Sequence, residues 1–233
     1  RPGAATPTRR FRSPYAGRNP QRRPRHPNGG VPTVKRLILG SGSPRRADLM
    51  RQLELPCEII PSPEEEPIPA TSVPSDYAIE SASAKARAVM NLLASRGQAE
   101  DAIVIGADTI VCLDDAILGK PAGATEAAAM LTRLSGRVHT VYTGLALRYG
   151  EELLCEAVCT QVSMNAFTAD DVAAYVKSDE PLDKAGAYGI QGLGARFIER
   201  IEGCYYNVVG LPLARLCALL GSAGYHLNDK TIK

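Results

Sequence analysis

From Val34 onward, short aliphatic runs alternate with stretches in which apolar side chains recur every three or four positions. This is the pattern of buried strands interleaved with amphipathic helices. Lys35–Gly40 (KRLILG) reads as a strand closing on a Gly/Ser turn, and Pro44 to Leu53 as a helix with Ser43 at the N-cap and Pro44 at its first position. Cys57–Ile60 gives a second short strand, followed by an acidic, proline-rich loop from Pro61 to Pro74. Ser75 is expected to cap a longer helix, whose Ile79, Ala82, Ala86, Val89, Met90 and Leu93 form one apolar stripe.

Ala102–Ile105 predicts a buried strand that ends at Gly106-Ala107-Asp108-Thr109, with a second short run at Ile110–Leu113 and a turn at Asp114-Asp115. Thr125 begins an alanine-rich helix running to Leu134. Val138–Arg148 and Leu153–Met164 alternate around Gly150 as a long hairpin. Thr168 with Asp171 has the spacing of a capping box opening a helix to Lys177. Phe197–Ile201 reads as a strand, and Pro212–Leu220, stopped by Gly221, as the last helix. Hairpins mixed with strand–helix units predict an α/β fold, a mixed sheet with helices packed on it.

Composition changes this picture at the ends. The chain has 233 residues, 45% hydrophobic and 22% charged, with a formal net charge of +2. Those figures exclude a fully disordered, collagenous or strongly polyanion-seeking chain. The charge, however, averages two unlike pieces. Residues 1–36 hold ten basic residues and no acid, so the remainder has 17 basic against 25 acidic residues, a net of −8. Residues 1–32 also carry seven prolines and four glycines without apolar periodicity, so 1–33 is read as a disordered extension. An Arg-rich mitochondrial presequence is the minority reading, because the prolines would break its amphipathic helix. The domain expected is 34–222, with 223–233 as a tail.

No apolar run is long enough to span a membrane, and no apolar signal core stands near the start, so a cytoplasmic protein is expected. Six cysteines without a C-x-x-C, and three isolated histidines, predict neither a disulfide scaffold nor structural zinc. Cys155 and Cys159 fall on one strand face about 13 Å apart, too far for a disulfide. Cys112 and Cys217 are expected in the core.

Three segments carry candidate chemistry. Gly40-Ser41-Gly42-Ser43-Pro44-Arg45-Arg46 joins a strand to a helix, where free N–H groups suit a phosphate and two arginines oppose the helix dipole. An ordinary surface helix start fits the same residues. The second segment places the Asp108 carboxylate after a buried strand with small neighbours, suited to a divalent ion or a polarised water. Glu64-Glu65-Glu66, Lys85, Lys120 and Lys184 are further charges that also read as solvated surface. In the third, Asp183 to Gly194, four glycines flank Lys184 and Gln191, and the Gln191 amide offers the donor and acceptor needed by the imide edge of uracil or thymine. A solvent-facing glutamine in a loop fits too.

Taken in order, Ser41-Gly-Ser-Pro-Arg-Arg46, Glu66, Ala84-Lys85-Ala86, Gly106-Ala-Asp-Thr109, Gly119-Lys-Pro121, Ser135-Gly-Arg-x-His139, Asp183 to Gly192 and Asn207-Val-Val-Gly-Leu-Pro212 give the chain a close resemblance to the Maf family of nucleotide pyrophosphatases. The resemblance spans roughly residues 34 to 222. It implies a two-lobed fold with a central cleft, related to the inosine triphosphate pyrophosphatases. It further implies hydrolysis of a nucleoside triphosphate to monophosphate and pyrophosphate, assisted by a divalent cation, Mg²⁺ or Mn²⁺. Asp108 matches the family's proton acceptor and Glu66 the other acidic site residue, both candidate metal ligands. Arg45, Arg46, Lys85 and Lys120 match its phosphate-facing cations. Ser41, Arg45, Arg46, Thr109 and Gln191 resemble the substrate-binding residues of the branch acting on dTTP and UTP.

The resemblance therefore implies a house-cleaning enzyme with a nucleotide substrate and leaves a homodimer open, while the residues themselves predict no membrane and, since no aromatic platform or binding motif accompanies the basic tail, no specific nucleic-acid partner. A non-enzymatic, nucleotide-sensing regulator of cell division is the competing expectation. The acidic body needs local cations and a metal to hold a substrate of about four negative charges.

Overall fold

The computed structural model describes residues 35–63 and 73–225. Glu64–Glu66, the N-terminal extension and the chain beyond 225 lie outside the described residues, so the readings of those segments are not addressed by it. The elements are Arg36–Leu39 (β1), Pro44–Gln52 (α1), Cys57–Ile59 (β2), Pro74–Ser95 (α2), Ala102–Leu113 (β3), Ala116–Leu118 (β4) and Ala124–Leu134 (α3). Val138–Tyr149 (β5), Glu152–Met164 (β6), Ala169–Val176 (α4), Ile198–Glu202 (β7), Tyr205–Val209 (α5) and Leu213–Ser222 (α6) complete the chain, with short 3-10 turns between α4 and β7.

Seven strands form one mixed sheet in the order β2-β1-β3-β5-β6-β7, and β4 pairs with β3. β1 runs parallel to β2 and β3, whereas each neighbouring pair in the series β3, β5, β6, β7 is antiparallel. The α/β class and the mixed sheet expected from the sequence are thus observed. The hairpin around Gly150 and the Thr168–Asp171 capping box are present.

β3 is the strand that organises the molecule. Successive residues point to opposite faces. On one face Ile103, Ile105 and Ala107 join a core with Leu49 and Met50 of α1 and Leu213, Leu216 and Leu220 of α6. Further along the same face Val111 and Leu113 join a second core with α3 and α4. On the other face Val104 packs under α2 with Ala82, Ala86, Val89 and Leu93, while Ile110 and Cys112 form a smaller cluster with Ala78. The two ends of the sheet therefore have separate cores. β3 passes between them at Asp108 and Thr109.

Several local expectations are corrected. Gly106 to Thr109 does not end the strand, because β3 continues paired with β5 from Val104 to Cys112. Gly and Asp are poor strand formers by themselves, but each has a tertiary reason to be there. A β-carbon on Gly106 would stand 2.2 Å from the Ala82 carbonyl oxygen of α2. Ser75 lies inside the first turn of α2, whose N-cap is Val73, with Pro74 opening the helix. Ser43 occupies the expected N-cap of α1, but its side chain makes no capping hydrogen bond. Gly221 does not stop the last helix, which continues to Ser222, and Cys217 is only half-buried. β4 and α5 had no expectation from the sequence.

All six cysteines are free. Among the described residues no helix is long and apolar enough to cross a membrane.

Candidate active site

The site occupies a gap in the sheet. β1 pairs with β3 only as far as Leu39 against Ile105, and β4 takes up the same edge only from Val111. Among the described residues no strand pairs the β3 edge between these points. Gly40 N–H donates to the Ile105 carbonyl at 2.8 Å. By the alternation of a strand, the backbone groups of Ala107 and Thr109 aim toward the same open side. A cleft of about 540 Å³ opens there, lined by Ser41, Arg45, Arg46, Lys85, Asp108, Thr109 and Lys120 among others. Because the edge is open, neighbouring residues that face opposite sides of the sheet reach one cleft.

Asp108 lies on the α2 face, 7% exposed, with its Oδ1 accepting from Lys85 Nζ at 2.6 Å. An unpaired buried charge is costly, so each group of this pair keeps the other tolerable. Lys85 reaches it because α2 lies low on the sheet over Gly106 and Gly144.

Thr109 lies on the opposite face. Its Oγ1 is 2.9 Å from Thr143 Oγ1 and accepts from Arg46 at 3.0 Å. Arg46 is buried and also donates to the Gly210 carbonyl at 2.8 Å and Ser41 Oγ at 3.1 Å. It thereby braces Ser41, Thr109 and the turn after α5. Arg45, one residue earlier, is half-buried and pairs with Asp183 at 3.0 Å. Asp183 also accepts from Lys184 at 2.6 Å. Burial pushes the Asp183 carboxyl upward, but the hydrogen bonds from Lys184 and Arg45 outweigh it and leave it below its usual range. The arginine pair that the sequence set against the helix dipole thus has partners inside the protein.

Lys120 is exposed on the cleft wall, and the preceding Gly119 carbonyl accepts from Gly186 N–H at 3.0 Å. Gln191 lines an adjacent cavity of about 290 Å³. Arg45, Thr109 and Val209 border both spaces. The smaller cavity has apolar walls from Val111, Val141, Tyr188 and Ile190, and Arg45, Glu180 and Lys184 are its charged lining. The structure therefore gathers Ser41, Arg45, Arg46, Lys85, Asp108, Thr109 and Lys120 round one cleft and sets Gln191 beside it. Glu66 lies outside the described residues.

Among the described residues no three His, Cys, Asp or Glu side chains converge as a ready-made metal cage. Asp108 offers a hard oxygen donor on the cleft wall, which suits Mg²⁺ or Mn²⁺. Mg²⁺ commonly takes one or two carboxylates and completes its shell with substrate phosphates and water, so this donor set fits such an ion.

Behind this wall stand Tyr188 and His139, which the quoted motifs contain but to which sequence reasoning assigned no role. Tyr188 shares a hydrogen bond of 2.6 Å with His139 Nε2, and His139 is 2% exposed. Burial lowers the His139 imidazole to about 4. A histidine in an alternating strand was the available signal, but nothing in the spacing links it to Tyr188.

The family model described as Maf-like protein matches residues 36–223. The protein named dTTP/UTP pyrophosphatase of Bacillus cytotoxicus is 48% identical over 183 residues, 78% of this chain and 93% of that protein. The protein of the same name from Bacillus mycoides is 46% identical over 183 residues, with the same coverage of 78% and 93%. That of Caldicellulosiruptor bescii is 43% identical over 196 residues, 83% of this chain and 98% of that protein.

Proposed function

The chain belongs to the Maf-like protein family, and on that footing we propose that it hydrolyses dTTP and UTP to the monophosphate and pyrophosphate. The observation that carries this reading is the Asp108–Lys85 pair, buried at the gap in β3 and opening on a cleft with Arg45 and Lys120 on its walls. The names of the relatives supply the substrate.

The two adjoining spaces divide the nucleotide between them. The larger cleft, with its cations, takes the triphosphate. The smaller cavity, with apolar walls and Gln191, takes the base, whose imide edge pairs with the Gln191 amide. Asp108 Oδ1 is held by Lys85, and Oδ2 takes the proton of the attacking water. Arg45 and Lys120 meet the phosphate oxygens as charge shifts across the α–β bridge. Arg46 acts through its hold on Ser41 and Thr109. Glu66, matched on the family motif, is the second carboxylate assigned to the site. Glu66 and Asp108, together with the substrate phosphates, would hold a divalent cation, which would supply charge neutralisation at the phosphates. The free cysteines fit a reducing, cytosolic setting for a house-cleaning role.

The test is pyrophosphate release from dTTP, UTP, CTP and 7-methyl-GTP, with Mg²⁺, with Mn²⁺ and after chelation. Release from dTTP and UTP that chelation stops and either ion restores is the expected result. Release from none of the nucleotides would overturn hydrolysis in favour of a nucleotide-sensing regulator. Preference for 7-methyl-GTP would overturn the assignment of Thr109 and Gln191.

A further inference from the structure

The segment that carries Gln191 is tied down by two side chains to which the proposed chemistry gives no role. Tyr175 of α4, 1% exposed, donates its hydroxyl to Glu180 Oε1 at 2.8 Å and accepts the Gly189 N–H at 3.2 Å. Glu180 Oε1 also accepts the Gly194 N–H at 3.1 Å, and its Oε2 accepts the Leu193 N–H at 2.9 Å. Backbone donors from both sides of Gln191 thus end on one tyrosine–glutamate pair. The pair is itself fixed, since the Tyr175 ring packs edge-on against Phe197 at 5.2 Å.

The surrounding glycines follow from this clamp rather than from a need for mobility. A β-carbon on Gly194 would lie 2.4 Å from the Tyr175 hydroxyl, and one on Gly192 would lie 2.7 Å from Glu180 Oε2. Gly192 also has φ of +75°, a conformation side chains resist. Burial pushes the Glu180 carboxyl up, but the hydrogen bonds from Leu193, Gly194 and Tyr175 outweigh it, so it sits below its usual range as an acceptor.

We propose that Tyr175 and Glu180 are positioning residues that fix the place of Gln191, and through it the preference for uracil and thymine over cytosine. This rests on the reading of Gln191 as the base-recognising amide. A glutamine amide turned half a revolution presents the pattern that cytosine needs instead, so its chemistry alone does not discriminate. The main-chain groups of Gly189 to Gly192 line the same cavity and do not turn over, so discrimination requires that they and Gln191 be held in one arrangement before the base arrives, which also removes an ordering cost from binding. Neither clamp residue touches Asp108 or Lys85 among the contacts described above, and Glu180 lines the base cavity while Tyr175 stands behind it, so the effect belongs to binding and Tyr175 is the residue that tests the clamp apart from direct contact with the base.

The experiment compares Tyr175→Phe, Gln191→Ala and the double variant, with UTP and CTP as substrates and a melting curve for each protein. Tyr175→Phe keeps the ring and removes both hydrogen bonds. It should raise KM for UTP by about 3- to 10-fold, the scale of one or two hydrogen bonds, and lower the UTP-to-CTP ratio of kcat/KM. Its kcat should stay within about twofold. The double variant should be no less selective than Gln191→Ala alone, because the clamp acts through that residue.

An unchanged UTP-to-CTP ratio in Tyr175→Phe, beside an altered one in Gln191→Ala, overturns the clamp and leaves the base reading standing. An unchanged ratio in Gln191→Ala overturns the base reading and the clamp with it. Additive losses in the double variant overturn action through Gln191. Should Tyr175→Phe melt without cooperativity, Glu180→Gln, which keeps the shape and loses one acceptor, must lower the same ratio, and its failure to do so overturns the clamp.

Discussion

Gly144 of β5 lies so close under Ala78 of α2 that a β-carbon on it would stand 2.0 Å from the Ala78 carbonyl oxygen. Gly144 is also the residue paired with Asp108 across β3 and β5. With Gly106 it lets α2 settle on the sheet, which brings Lys85 within hydrogen-bond reach of Asp108. Either glycine replaced by alanine should lift the helix. Gly144→Ala is expected to lose about 1–3 kcal/mol of stability, the usual cost of overpacking, and to lower kcat. Denaturant unfolding and pyrophosphate release on the same preparation check both halves, and unchanged stability would remove the helix-seating argument.

Asp108→Asn keeps the shape of the side chain and removes its capacity to take a proton. Turnover should fall by at least ~10², the scale of a general base, while nucleotide affinity changes far less. Single-turnover assays with a separate binding measurement distinguish the two. Turnover close to the parent enzyme's would take proton acceptance away from Asp108.

His139 makes stability depend on pH in a direction that can be worked out. The unfolded chain binds a proton near pH 6.5, whereas the folded imidazole does so only at about 4. Between those values the unfolded state holds more protons, so stability is complete above about pH 6.5 and is lost as pH falls toward 4, by on the order of 3 kcal/mol. His139→Gln should flatten that part of the stability profile relative to the parent. Parallel slopes for the two proteins would contradict the assignment.

Asp183 holds Arg45 and Lys184 at the mouth of the cleft. Asp183→Asn frees Arg45 for phosphate oxygens, whereas Lys184, which lines the smaller cavity, keeps its hydrogen bond to the Glu180 carbonyl. The expected result is a KM for UTP roughly 2- to 5-fold lower at low ionic strength, the range of an exposed ion pair, with the difference shrinking as salt is raised. A salt-independent change would point to loop distortion instead.

How much of this could be read from the chain depends on the distance over which each decision is made. The stripe from Ala82 to Leu93, the capping box at Thr168 and the hairpin around Gly150 are set by neighbours within one element, and all are visible as pattern. The continuity of β3 is not, because Gly106 and Asp108 are disfavoured in strands and are kept there by Ala82 and Lys85 of α2, each more than twenty residues earlier in the chain. Likewise the separate charges Lys85 and Asp108 carry no spacing that announces a pair. Family motifs named most of the residues that the structure gathers round the cleft. They did not name Tyr175, Glu180 or Thr143, whose work is to hold others still and is legible only in three dimensions.

The interrupted pairing along β3 has a consequence for the protein when no nucleotide is bound. Unpaired main-chain edges are surfaces on which foreign strands can nucleate, and proteins generally cover them; the protein's own packing already buries most of this one, leaving Thr109 half-exposed. Here the stretch from Gly106 to Ile110 cannot be covered by a permanent strand without closing the cleft. Nucleotide lying along the cleft covers the one half-exposed residue of the gap, so amide exchange at Thr109 should slow when the site is occupied while that at the fully buried Ala107 stays slow in both states.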